Sequence, residues 1–444
     1  MQQIILDDCR VFLDKLKDCC IDALATDSPY GLGFMNKSWD KEIPGPEYWT
    51  KVLRVLKPGA YGVAMGAPRL YHRLACAIED SGFEIRDCIM WLYGSGFPKS
   101  HNVALGIDKH LGAVDKRGRA IPTASSYQAC DVNKREQFIH KLKYGDSEWP
   151  HIKTGISDVE LCKKIQEYDK VHKLTANKVE EYIAQTEEAI RYEGYGTALK
   201  PAYEPMLLIR KPLIGNVAEN VLTYGVGGLN IEACRIGNEE VIINRFDDGM
   251  KPFGNGAGHE YSSGVSKGRW PANICHDGSD EVMELFPKEK TKEKRKNFNH
   301  GNSGIYEGGY KNSYNNNYLV GGSPARFFYC SKASRKEREA GLHERDPINV
   351  TDGRNKPTDN PYQRGKTQRL NTHPSVKPIA LCRWLSRLIC PPNGTLIDPF
   401  MGSGSFGCAA ALEGFNWIGI DNDKESFDIA EKRIAYWQQQ GNII

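Results

Sequence analysis

Two short stretches carry side chains that could do chemistry together. Residues 25–34 read ATDSPYGLGF, so Asp27, Ser28, Pro29 and Tyr30 stand in a row where the apolar segment CIDALAT ends. A carboxylate there can accept a hydrogen bond from an amine, and a ring can stack on a flat ligand. The same residues also suit a plain strand-ending turn, with a capping acid and a core tyrosine. Near the other end lies GTLIDPFMGSGSFGCAAALEGFNWIGIDND, residues 394–423. Leu396 and Ile397 lead into Asp398 at a strand end, and Gly402, Ser403 and Gly404 make a tight loop. A helix then runs to Gly414, and a second strand ends in Asp421. Strand, glycine loop, helix, strand and terminal acid form the βαβ layout that holds an adenosine-bearing cofactor. Glycines let the backbone approach the ligand, and the terminal acid can accept hydrogen bonds from ribose hydroxyls.

The loop chemistry narrows the cofactor. A phosphate-binding P-loop needs lysine after the last glycine, and Ser405 follows Gly404. Gly402, Gly404 and Gly407 do fit the dinucleotide spacing G-x-G-x-x-G. The preceding Asp398-Pro399-Phe400, however, sets a carboxylate beside the loop, which would repel a pyrophosphate and suits a cation. S-adenosylmethionine carries an ammonium and a sulfonium and no phosphate, and is the expected cofactor.

The elements around these loops alternate. IILDD and CIDALAT read as strands, and PEYWTKVLRVLKPG as a helix with Trp49, Val52, Leu53 and Leu56 on one face, closed by Gly59. AYGVAMG is a second buried strand, RLYHRLACAIEDSG a helix, and FEIRDCIMWLYG a strand again. This is the rhythm of an open α/β sheet. Residues 1–105 form its first half. Residues 106–195 are charged and helical with sparse apolar positions, as in a protruding insertion. The strand-like YEPMLLIRKP within 196–214 returns to the sheet. Residues 215–372 are irregular and rich in Gly, Asn and Tyr, and 373–444 complete the α/β pattern. Basic clusters at 116–119, 288–296 and 335–338 lie outside that pattern; each suits a solvated face, and their shared location suits contact with a polyanion.

Composition sets the outer bounds. With 40% hydrophobic and 26% charged residues, the 444-residue chain is of soluble globular type. No apolar run approaches the roughly 20 residues of a membrane helix. The start, MQQIILDDCR, lacks the regions of a signal peptide, which predicts a cytoplasmic protein with no membrane partner. The thirteen cysteines are scattered without C-x-x-C pairs, so they read as reduced core residues and no metal is expected. A net charge of +3 confines any nucleic-acid footprint to local patches.

Together, DSPY at 27–30, HPSVKP at 373–378 and DPFMGSG at 398–404 resemble the motifs of DNA amino-methyltransferases. The catalytic motif precedes the cofactor motif, the permuted order of the beta class. The middle of the chain also resembles long phage and prophage methyltransferases, in phrases such as GRWPANI and FFYCSKASRKER. The resemblance implies a Rossmann-like class I methyltransferase sheet in circularly permuted order, with a helical insertion and a target-recognition region at 215–372. It implies methyl transfer from S-adenosylmethionine to an amine of double-stranded DNA, as in restriction-modification systems, with the base flipped out of the helix. Beta-class relatives are often dimers, so a homodimer is an expectation, as is a nucleoid location.

Residue by residue, the resemblance gives Asp27 the amine hydrogen of the extruded base and a place beside the cofactor. The carbonyl of Ser28 takes a second hydrogen, Pro29 fixes the turn and Tyr30 stacks on the base. Asp398, Pro399, Phe400, Gly402, Ser403 and Gly404 surround the cofactor, and Asp421 meets its ribose. His373, Lys377 and Pro378 lie beside it, and Asp8 meets its adenine. Asp at the first motif position points to adenine N6, while cytosine N4 is the alternative because Ser28 stands where adenine enzymes usually have Pro. A non-catalytic DNA-binding relative is a further alternative. Cys390-Pro391 invites comparison with the nucleophile of carbon-5 cytosine methyltransferases, but nothing else around ICPPNG matches that family.

Overall fold

The structure, a computed structural model, describes residues 2–33, 38–94, 96, 100–114, 182–245, 262–284, 328–349 and 368–441. The helices expected within 115–181, the basic clusters at 116–119 and 288–296, and the Gly/Asn/Tyr-rich stretch 299–322 lie outside these residues.

One compact unit comprises Met1–Gly96 and Ala202–Ile444. Its strands in chain order are β1 (Gln2–Leu6), β2 (Ile21–Thr26), β3 (Leu56–Met65), β4 (Glu84–Leu92) and β5 (Tyr203–Arg210). They continue with β6 (Ile236–Arg245), β7 (Ser262–Arg269), β8 (Ile274–His276), β9 (Phe328–Tyr329), β10 (Ile348–Asn349) and β11 (Gln368–Arg369). The last two are β12 (Thr395–Asp398) and β13 (Asn416–Asp421). Nine of them form one sheet in the order β1-β13-β12-β2-β3-β5-β4-β8-β9, while β6 with β7 and β10 with β11 make separate pairs. Only β5 runs against its neighbours in the large sheet.

Alternation along the strands explains the two-faced core. Ala23, Ala25, Tyr61, Val63, Met206 and Leu208 face the cluster built on the helices Ile379–Ile389 and Ser405–Glu413. Ile21, Leu24, Ala60, Ala64, Leu207 and Ile209 face the opposite one, built on the helices Cys9–Lys15, Pro46–Val55 and Tyr71–Asp80. A sheet covered on both faces needs apolar residues at successive positions, and this is why β2 is buried throughout.

The permutation has a simple structural form. Strands β12 and β13, from the chain's end, lie between β1 and β2 from its start. Leu396 pairs with Ala23, and Ile397 with Leu24. The loops after β2 and after β12 therefore leave adjacent strands at the same, carboxyl edge of the sheet. Because β5 is reversed, it delivers its first residues to that edge.

Two expectations change. The helix read to Gly59 ends at Val55, and Leu56 starts β3, because Leu56 is taken up in pairing with Ile21 of β2. Gly59, at φ +79°, instead lets Asn220 approach: a Cβ there would lie 2.3 Å from Asn220 Nδ2. Within 215–372, β8 and β9 extend the main sheet. At three and two residues they are too short for a periodic signal.

The second unit spans Phe97–Pro201. Among its described residues, buried Asp108 on the helix Val103–His110 accepts hydrogen bonds from Gln185 N (2.7 Å) and Thr186 N (3.1 Å).

Candidate active site

The turn after β2 is fixed at several points. Thr26, the last residue of β2, donates from Oγ1 to Asp398 Oδ1 at 2.8 Å, which ties the two motifs together directly. Ser28 is buried, and its Oγ donates to the carbonyl of Met65 at 3.1 Å. Buried Asp40 accepts from the backbone N–H groups of Tyr30 (2.7 Å) and Gly31 (3.0 Å) through one carboxylate oxygen. Pro29 adds a locked φ.

Around this turn five polar side chains converge. Tyr30 OH donates to Asp27 Oδ1 at 2.8 Å, and Lys377 Nζ donates to Asp27 Oδ2 at 2.7 Å. The ammonium also lies 3.0 Å from Tyr30 OH and 3.4 Å from Glu204 Oε2. Ser375 Oγ donates to Asp27 Oδ2 at 3.3 Å. Burial disfavours charge on Lys377, but Asp27 and Glu204 outweigh it and hold the ammonium well above its ordinary pKa. Burial, with the Asp27 charge beside it, pushes the Tyr30 hydroxyl upward, so Tyr30 is a protonated donor. Lys377 was expected beside the cofactor; its ammonium sits on the Asp27 carboxylate.

The glycine loop is held from three sides. Asp421 Oδ2 accepts from Gly402 N at 2.8 Å, at the end of β13. Wholly buried Arg433 donates to the carbonyl of Ser403 and, at 3.1 Å, to its Oγ. Gly402, at φ +52°, packs on the His373 ring; a Cβ would lie 2.9 Å from His373 Nε2. His373 Nδ1 lies 3.1 Å from the Ser375 carbonyl, and its ring stacks on Trp39. Phe400 N donates to Asp398 Oδ1 at 3.2 Å, and the Phe400 ring packs against Tyr48. Pro378 caps the helix Ile379–Ile389, where its fixed φ suits the entry. Asp8 caps the helix Cys9–Lys15 through Arg10 N and pairs with the Arg10 side chain, so it is committed locally.

These acids and glycine N–H groups fit a cationic, adenosine-bearing ligand. Burial pushes Asp398 up to about 8, against the opposing hydrogen bonds of Thr26 and Phe400. Burial likewise lifts Asp421 to about 6 and depresses His373 to about 4, so His373 is neutral at physiological pH. Across pH 4–9 these groups have opposite signs. The raised Asp398 favours the fold at low pH and withdraws that support as pH climbs through about 8. The depressed His373 favours it above its unfolded value and withdraws support as pH falls toward about 4. In Asp398→Asn only the pH dependence from the buried acid disappears. Its melting temperature should therefore rise relative to the parent, by a margin that widens from pH 5 to pH 9 in thermal melts. A constant margin would refute the buried acid.

Sequence reasoning missed Thr26, Asp40, Glu204 and Arg433. Glu204 stands near the start of β5 as its one acid, ahead of the apolar run Pro205–Ile209, and could have been noticed. Asp40 and Arg433 carry no local signal. In the cluster at 335–338, Arg335 pairs with Glu339, Glu337 accepts from Ile379 N at 2.5 Å, and Arg338 donates to the His373 carbonyl at 3.2 Å. Glu337 and Arg338 are thus committed to partners within the protein, while Arg335 is exposed beside its i,i+4 partner. Cys390 is buried and its thiol pushed up to about 12 by that burial, which makes it a poor nucleophile. Among the described residues, all eleven cysteines are free.

The type II methyltransferase M.HinfI of Haemophilus influenzae is 37% identical over 72 residues, 16% of this chain and 20% of that protein. M2.LlaDCHI of Lactococcus lactis subsp. cremoris is 39% identical over 62 residues, 14% of this chain and 23% of that protein. The matched segments thus span about a fifth of these curated relatives. Among solved structures, the M1.HpyAVI–SAM complex aligns over 98% of this chain and 100% of its own at 14% identity and a TM-score of 0.36. The cytosine-N4-specific PvuII DNA methyltransferase aligns over 99% and 90% at 11% identity and a TM-score of 0.38. A family profile described as DNA methylase, of N6/N4 methyltransferases, matches residues 21–432, from β2 through both motif loops and into the last helix. The chain belongs to this DNA methylase family.

Proposed function

We propose that this chain transfers a methyl group from S-adenosylmethionine to the exocyclic N6 of an adenine in double-stranded DNA, after the base has turned out of the helix. The observation that carries the reading is the 2.8 Å hydrogen bond from Thr26 to Asp398, which sets the Asp27–Tyr30 turn beside the glycine loop. When bound, the cofactor supplies an electrophilic methyl group on a positive sulfur. Gly402, Ser403 and Gly404 let the backbone approach it, with Pro399 and Phe400 at the strand end and His373 packed against the loop. Asp398 and Asp421 offer carboxyl groups to a ligand of positive charge and to ribose hydroxyls, and the ligand's charge displaces the proton that burial holds on Asp398.

Asp27 accepts a hydrogen from the amine, which keeps the nitrogen lone pair out of the ring, and takes up the proton that nitrogen sheds. The Ser28 carbonyl accepts the second hydrogen. Tyr30 stacks on the base and offsets lost stacking of a few kcal/mol. Positioning of the amine accounts for most of the acceleration, as no covalent enzyme intermediate is required.

The choice of base rests on Asp27. Ser28 spends its hydroxyl on the Met65 carbonyl, so its side chain does not present a donor to the base. Cytosine N4 stays the alternative, because Ser28 stands where adenine enzymes usually have Pro. Lys and Arg contacts to phosphates and polar contacts to base edges are assigned to the stretch 215–372, with 106–195 as a clamp on the duplex or on a partner. Genomic DNA from a methylation-deficient host expressing the chain, hydrolysed and chromatographed, should contain N6-methyladenine. N4-methylcytosine in its place would transfer the reading to the other base.

A further inference from the structure

The carboxylate of Asp27 already accepts three hydrogen bonds, which crowds any incoming amine. Asp27 Oδ1 accepts the Tyr30 hydroxyl at 2.8 Å, while Oδ2 accepts the Lys377 ammonium at 2.7 Å and the Ser375 hydroxyl at 3.3 Å. A base amine that is to align with this carboxylate competes with these donors, and one of them can leave to admit it. Lys377 is the least able to do so: its side chain is 7% exposed, and withdrawal would strand a buried charge. The Tyr30 hydroxyl is different, because a second acceptor stands within reach. Glu204 Oε2 lies 3.5 Å away, too long for a good bond but open to a small swing of the hydroxyl. Glu204 is placed there by the reversal of β5, whose first residues reach the carboxyl edge of the sheet, and it is held by Lys377 at 3.4 Å.

We infer that Glu204 is a positioning residue that receives the Tyr30 hydroxyl when Asp27 engages the target amine. In the free protein Tyr30 caps Asp27; with the base in place, the hydroxyl turns to Glu204 and its proton stays on oxygen throughout. Lys377 stays between the two carboxylates and keeps both in place during the exchange. Without Glu204 the displaced donor has no acceptor, and that cost falls on the base-bound state alone. The inference rests on the methyl-transfer reading given above.

The test is a double-mutant cycle on single-turnover methyl transfer to DNA at saturating cofactor, with cofactor affinity and melting temperature measured on each variant. Glu204→Ala should slow transfer by about ten-fold or more, with cofactor affinity within about two-fold. Glu204→Gln, whose amide oxygen accepts the hydroxyl, should recover most of the rate. In a Tyr30→Phe background, Glu204→Ala should cost less than about three-fold, since no hydroxyl needs rehousing. Equal losses in both backgrounds would mean that Glu204 serves only as a counter-charge to Lys377, and would overturn the inference. So would an unaltered rate in Glu204→Ala, or loss of all transfer in Tyr30→Phe, which would give the hydroxyl another task. If the parent protein binds cofactor but methylates no DNA, the functional reading falls first; if it methylates and the cycle is additive, only this inference falls.

Discussion

Asp27→Asn is expected to lower methyl transfer to DNA by about 10²–10³-fold while cofactor affinity stays within about three-fold. The substitution keeps volume and one acceptor oxygen. It replaces the other oxygen with an amide donor in a place where both neighbours already donate: Tyr30 OH at 2.8 Å and Lys377 Nζ at 2.7 Å. The remaining oxygen is held by the ammonium, so the base amine meets a donor where it needs an acceptor. Removing one oriented electrostatic contact from a preorganised site costs about 3–4 kcal/mol of transition-state stabilisation in comparable cases. The fold feels less, because Glu204 remains beside Lys377. Initial rates with labelled cofactor, alongside calorimetric cofactor binding, separate the two effects. Equal losses in rate and affinity would place Asp27 on the cofactor rather than on the base.

Lys377→Met should destabilise the fold by about 3 kcal/mol and abolish most transfer. The magnitude follows from burial. The Lys377 and Asp27 side chains are 7% and 17% exposed, so their pairing belongs with ion pairs taken out of water and not with surface pairs worth a few tenths. Loss of the ammonium leaves two carboxylates, Asp27 and Glu204, on either side of Tyr30 OH with no cation between them. Met fills the channel of the aliphatic stem, so a cavity does not explain the loss. Lys377→Arg retains the charge and should recover most of the stability, though the wider guanidinium will disturb the geometry. Urea unfolding reads the first effect as a lowered midpoint at unchanged slope. A midpoint unaltered in Lys377→Met would show that the ammonium is solvated and that the site is looser than described.

Much of this was legible in the sequence because it is contiguous. The strand–glycine–helix–strand run at 394–423 writes its conformation locally, with Gly402 and Gly404 at positive φ, which glycine adopts without strain. DSPY is likewise one turn. What was not legible depends on long-range register. That Lys377 meets Asp27, 350 residues away in sequence, follows from the pairing of β12 with β2. Glu204 enters the site because β5 runs antiparallel, and nothing inside YEPMLLIRKP fixes strand direction. Asp40 holds the catalytic turn from a short irregular segment with no period to read. The cluster at 335–338 is read in part for a related reason: charge counts cannot show that Glu337 and Arg338 bond to Ile379 and His373 while Arg335 stays exposed.

The most direct test of the central claim uses the purified protein, plasmid DNA and S-adenosylmethionine labelled in its methyl group, followed by digestion to nucleosides and mass spectrometry. The account predicts label in N6-methyldeoxyadenosine, lost in Asp27→Asn with cofactor binding retained. Absence of label from DNA, in a sample shown to bind the cofactor, would contradict it.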